Sequence, residues 1–175
     1  MDFMELARAR YSCRHYAAKP VEDEVLRKVL EAGRLAPTAK NNQPQRIFVV
    51  QSREALDRLK AATPMLRDAP LGLVIGYDKG EASVITMDAY YDGKYCAGTQ
   101  DASIVATTMM YEAADLGLAS LWIRGYDTGK VIEALDLPED VEGVMILALG
   151  YAAEGWEPSP MHASRRPLDE TVTYL

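Results

Sequence analysis

At 175 residues, with 49% hydrophobic and 26% charged side chains, the chain is long enough to bury a real core and has the balance of an ordinary globular protein. A net charge of -7 argues against nucleic acid as the main partner, because phosphate backbones attract basic surfaces. No stretch approaches the roughly 20 apolar residues of a membrane span, and the start of the chain is acidic without a long apolar run, which excludes a signal peptide and leads us to expect a cytoplasmic protein that binds no membrane.

Asp2 to Ala9 is predicted as a short helix capped by Asp2, with Phe3, Leu6 and Ala7 on one face. Residues 21 to 33 form a clearer helix. Acidic residues fill its first turn, Val25, Leu26, Val29 and Leu30 make an apolar stripe, and Gly33 and Pro37 mark its end. RIFVV, residues 46 to 50, reads as a strand, and Ser52 can cap a helix carrying Ala55, Leu56 and Leu59. Pro70 precedes a second strand, LGLVIGY. Residues 78 to 98 give the weakest pattern. Asp101 to Leu116 is a long helix, apolar on most sides, suited to a core or a subunit interface. Gly117 ends it, LASLWI follows as a strand, and Thr128 is expected to cap a short helix, TGKVIEALDL. VEGVMILALGY is the strongest strand signal, and the tail from about residue 152 looks extended. Strands and helices mix without a strict βαβ rhythm, so the expectation is a single α+β domain over residues 1–175, a sheet flanked by helices.

Four stretches carry chemistry. In RYSCR, Arg10, Ser12 and Arg14 share one side if the chain is extended; two guanidiniums and a hydroxyl suit a phosphate, though solvated surface arginines would look the same. APTAKNNQPQ, residues 36 to 45, is a proline-bracketed loop that offers neutral amides, Asn41 and Gln43 among them. Such groups match the alternating edge of a flavin or pyrimidine ring, or simply cap a polar turn. SRRP places Arg165 and Arg166 in the tail. GLASLWIRGYD runs an apolar strand into Trp122 and then Gly125, where backbone can approach a ligand or merely turn. The two cysteines, Cys13 and Cys96, have no CxxC or Cys/His spacing, so no metal site is expected and both are read as thiols in a reducing compartment. There is no GxGxxG, P-loop or GxSxG.

The order of these pieces resembles the FMN-dependent nitroreductase family. Arg10, Ser12 and Arg14 match its opening Arg-x-Ser-x-Arg/Lys segment. Ala36, Pro37, Thr38, Asn41, Gln43 and Pro44 match its Ala-Pro-Ser-x-x-Asn-x-Gln-Pro loop, with Thr38 replacing serine. Leu116, Gly117 and Leu118 with the following WIRG, then Gly150 and Tyr151, then Arg165, complete the pattern across nearly the whole chain.

The resemblance implies an α-β-α sandwich around a largely antiparallel, mixed sheet, and a homodimer that exchanges terminal segments and holds FMN at the subunit interface. It implies that Arg10, Tyr11, Ser12 and Arg14, joined by Arg165 and Arg166, hold the phosphate, ribityl chain and near edge of the flavin. Pro37, Thr38, Asn41 and Gln43 would line the ring from the other subunit, and Trp122, Arg124 and Gly125 would face its N5 edge. NADH or NADPH would deliver a hydride and a small aromatic acceptor, such as a nitroaromatic or a quinone, would then remove it at the same face. No side-chain acid or base is implied, and Arg14 is the candidate to stabilise the reduced ring at N1. Flavin reduction, dehalogenation, flavin destruction and a non-catalytic FMN-binding module are the alternatives. Two departures stand out: Ala163 occupies the tail position where the family usually has lysine, with His162 beside it, and Gln45 stands where tryptophan is frequent. Residues 78 to 98 are too short for large covering helices, so the site is expected to be either more open or shaped by Tyr90, Tyr91 and Tyr95.

Overall fold

The computed structural model describes residues 1–83 and 96–175; Tyr90, Tyr91 and Tyr95 lie outside the described residues. Its centre is a four-stranded sheet of β1 (Gln45–Val50), β2 (Leu71–Asp78), β3 (Ala119–Ile123) and β4 (Val141–Gly150), in the order β1-β2-β4-β3 with every neighbour antiparallel. β4 is central because it is apolar on both faces: of its ten residues only Glu142 is exposed.

The alternation of β2 and β4 divides the core in two. Leu71, Leu73 and Ile75 with Met145, Leu147 and Leu149 face one layer, formed by α2 (Asp23–Arg34) and α4 (Gly98–Asp115). Val74, Ile146 and Ala148 face the other, which holds Leu56 and Leu59 of α3 (Arg53–Ala62) and Val131 of α5 (Thr128–Leu135). The result is the expected α-β-α sandwich. The two helices of the first layer are tightly matched: a Cβ on Gly33 of α2 would meet Met109 Cγ of α4 at 2.7 Å.

α1 (Phe3–Ala9) starts with the expected Asp2 cap, reinforced by Glu5 in a capping box. α3 is capped by Ser52. At α5 the expectation is corrected. Asp127, not Thr128, is the N-cap, and its carboxylate accepts from Lys130 N; Thr128 is already helical. α4 begins three residues earlier than Asp101, and Gly117, at φ +80, releases the chain after it. Along its outer side the hydroxyls of Ser103, Thr107 and Thr108 each donate to the carbonyl four residues back, so this face presents methyl and methylene groups around the exposed Ile104.

The tail is not simply extended. It contains a 3-10 turn at Pro160–His162 and a one-turn helix, α6 (Leu168–Thr171), and from Ala163 onward every residue is exposed. No helix among the described residues is long and apolar enough to cross a membrane. Cys13 and Cys96 are free thiols, Cys13 buried.

Candidate functional site

Residues 10–17 run along the sheet edge beyond β3. Cys13 N donates to Ser120 O at 2.8 Å, Ser12 pairs with Ser120 as the one parallel bridge among the described residues, and Ala17 N donates to Tyr151 O at 2.8 Å. Cys13 is fully buried in the α3/α5-side core, and its thiol donates to His15 O at 3.0 Å. In an extended segment a side chain that points inward sends its neighbours outward, so burying Cys13 turns Ser12 and Arg14 away from the core.

What they turn toward is the tail. A cavity of about 280 Å³ is lined by Arg10, Tyr11, Ser12 and Arg14 on one side and by His162 and Arg165 on the other. The two ends of the sequence thus close one pocket. Arg10 Nε is buried and has no partner among the described residues. Arg14 reaches only Ser12 O, at 3.5 Å, and Arg165 folds back on the carbonyls of His162 and Ser164. No carboxylate among the described residues lies within ion-pair distance of these three arginines, whereas Arg34, Arg46, Arg53 and Arg58 each have one. Each guanidinium carries five donors, so unspent N–H groups from three cations face one small space. A buried donor without a partner costs about 1–3 kcal/mol, and the remaining N–H groups of the three arginines are free for an oxyanion. Burial, with a smaller push from Cys13, holds the Tyr11 phenol above its ordinary range, so it stays a neutral donor.

Arg166 is placed differently. It is exposed, pairs with Glu170 at 3.2 Å, and is not part of the cavity wall.

The amide loop between α2 and β1 is a second cluster. Lys40, Asn41 and Gln43 all have positive φ, near +54°, a conformation that costs a non-glycine residue energy unless its surroundings impose it. The surroundings are visible. Thr38 Oγ1 accepts from Gln43 N at 3.1 Å, Asn42 Nδ2 donates to Glu81 O at 3.1 Å, and Ala39 N donates to Asp101 Oδ1 at 2.9 Å. Asp101 lies at the start of α4, 3% exposed, and was absent from the sequence-based site; as an acidic residue in a helix's first turn it reads only as a partner of the helix dipole. The Asn41 side-chain amide makes no hydrogen bond among the described residues. None of Pro37, Thr38, Asn41 and Gln43 lines the cation pocket, so one chain does not unite the two clusters.

A third group lies at the end of β3. Trp122 is half-buried against the α2/α4-side core, and Arg124 and Gly125 follow, exposed. A Cβ on Gly125 would meet nothing within 4 Å, so the fold itself does not demand glycine here.

Known proteins share this fold. A nitroreductase family protein from Clostridium difficile 630 superimposes with a TM-score of 0.89, at 39% identity over 99% of this chain and 98% of that one. A chain from Desulfovibrio desulfuricans, solved in complex with FMN, is 28% identical with a TM-score of 0.80, covering 100% of this chain and 97% of that one. The FMN reductase [NAD(P)H] of Bacillus subtilis is 28% identical over 179 residues, 94% of this chain and 71% of its own length. The model of the Nitroreductase family matches residues 7–64 and 59–151, and the chain belongs to that family.

Proposed function

We propose that the protein is an FMN-dependent oxidoreductase that uses NADH or NADPH to reduce small aromatic acceptors such as nitroaromatics or quinones, and that it works as a homodimer in the cytoplasm, with residues 1–175 forming one flavin-binding domain. The observation that carries this reading is the pocket of unpaired arginines closed by both ends of the sequence. The FMN complex of one relative and the FMN reductase activity named for another support it.

The residues fit the phosphate end of FMN. Arg10 and Arg165 supply charge and paired N–H donors, and Ser12 and Tyr11 supply hydroxyls that bind without adding charge. Arg14, also on the cavity wall, would be the cation available to negative charge on the near side of the ring. FMN, when bound, supplies the hydride chemistry itself, and the protein supplies position and electrostatics. Pro37, Thr38, Asn41 and Gln43 would line the ring from the partner subunit, with the left-handed backbone of the loop turning the free Asn41 amide outward. Trp122, Arg124 and Gly125 would border the reactive edge, where the missing Cβ of Gly125 leaves room for a ring to approach backbone. No side-chain acid or base is needed.

The same geometry supports dimerisation. The pocket and the amide loop are incomplete apart, the outer face of α4 presents Ile104 among self-satisfied hydroxyls, and the tail exposes Leu168, Val172 and Tyr174. The free thiols accord with a reducing compartment.

The test is direct. Purified protein loaded with FMN should show flavin absorbance that NADH or NADPH bleaches and an added quinone or nitroaromatic restores. Protein that takes up no FMN overturns the reading; flavin that binds but never bleaches reduces it to a binding module.

A further inference from the structure

One titratable side chain of the cation pocket has no part in the account above. His162 lines the cavity beside Arg165 and ends the 3-10 turn Pro160–His162. Its Nε2 lies 2.8 Å from Arg8 O at the end of α1. A carbonyl can only accept, so Nε2 carries the hydrogen, and in the neutral ring Nδ1 is left as a lone-pair acceptor without a partner among the described residues. The ring also meets Tyr11 edge-on, with centroids 6.2 Å apart, so its plane is held from two sides.

The charges around it are all of one sign. Arg8 faces it from α1, Arg10, Tyr11 and Arg14 from the sheet-edge segment, and Arg165 from its own tail; no carboxylate among the described residues lies within ion-pair distance of His162. An anion between them would offset the arginines and give an Nδ1–H something to bond.

The geometry points to His162 as a proton-dependent fourth cation of this pocket. Binding of the FMN phosphate takes up a proton at His162, and the grip of the protein on FMN gains strength as pH falls through the imidazole range. This rests on the reading of the pocket as the FMN phosphate site. The proton goes from solvent to Nδ1, no bond to the flavin forms, and release of FMN returns it. Histidine ordinarily changes charge between about pH 5 and 8. A phosphate monoester loses its own second proton near pH 6 and acts in the opposite sense, so the comparison must cancel that contribution.

The experiment measures Kd for FMN and for riboflavin by flavin fluorescence, at about pH 6 and about pH 8.5, for the parent, His162→Gln and His162→Lys. Glutamine keeps an N–H for the Arg8 carbonyl but cannot become charged, and lysine is charged at both values. The ratio of FMN Kd for His162→Gln over the parent should be near one at the higher pH and reach about tenfold at the lower, the usual loss for one charged hydrogen bond. His162→Lys should bind FMN tightly at both. Riboflavin, which lacks the phosphate, should show the same ratio at both. A glutamine ratio for FMN that does not move with pH, or one that riboflavin reproduces, overturns the assignment of His162 and leaves the FMN site standing. A parent that binds no FMN at either pH overturns both.

Discussion

Arg10 is an exacting residue of the pocket, because its Nε is buried with no partner among the described residues. Arg10→Ala and Arg165→Ala should each weaken FMN binding about tenfold or more, since charged hydrogen bonds are worth roughly 1.5–3 kcal/mol. Equilibrium dialysis against FMN checks this, and two variants that retain flavin like the parent would refute the phosphate assignment. Another residue-scale effect is one of pH. A hydrogen bond from the Tyr151 hydroxyl, then one from Lys19, holds the Glu22 carboxyl down to about 2 from an ordinary 4.5. A carboxyl depressed in the folded state stabilises fully above its unfolded value and loses that contribution as pH falls toward the folded one. Thermal melts of Tyr151→Phe should therefore fall below the parent at neutral pH, by a margin that narrows between about pH 4.5 and about pH 2. The margin should be small, because the pair is exposed and screened.

The alternating Arg10, Ser12 and Arg14 were legible because spacing along one strand is a local property. The contacts of Asp101 and His162 were not. Their partners, Ala39 and Arg8, lie 62 and 154 positions away, and no local pattern encodes such a contact.

Among the elements, those with strong periodicity were read nearly to their ends. β4 declares itself by an unbroken apolar run, and α2 by its stripe and its terminal signals. The α5 cap was misplaced by one residue because Asp127 and Thr128 are adjacent and both are capping residues; only the backbone, extended at Asp127, distinguishes them. The turns of the tail were missed because helices of three or four residues are too short to show a period. One glycine tests how tightly the sheet is locked. The register between β2 and β4 shifts at Ile75/Gly76, and a Cβ on Gly76 would lie 2.3 Å from the backbone carbonyl oxygen of Glu142. Backbone in a central strand pair cannot step aside, so Gly76→Ala should cost about 2 kcal/mol or more in denaturant unfolding. Gly125→Ala is its counterpart at the end of β3. It should change stability by less than about 0.5 kcal/mol, so any slowing of flavin reduction in that variant would report on the site and not on the fold.

For the molecule as a whole, sequence order showed which clusters exist, and the three-layer packing shows which of them meet within one chain. The arginines of the two extremities meet; the amide loop stands apart from them. A dimer at micromolar concentration is therefore expected in analytical ultracentrifugation. Ile104→Glu, a charge set in the apolar outer face of α4, should shift it toward monomer and release FMN together with the dimer. A monomer that keeps its flavin would refute a shared site.

Because one wall of the pocket is made at residues 10–14 and the other at residues 162–165, synthesis must run through both before the two walls can meet. At ordinary elongation rates that is a delay of roughly 10–30 s between the first arginine and the last. On the proposed reading, flavin can load only after the second wall is made, and a protease that clipped the exposed tail would undo it without touching the core.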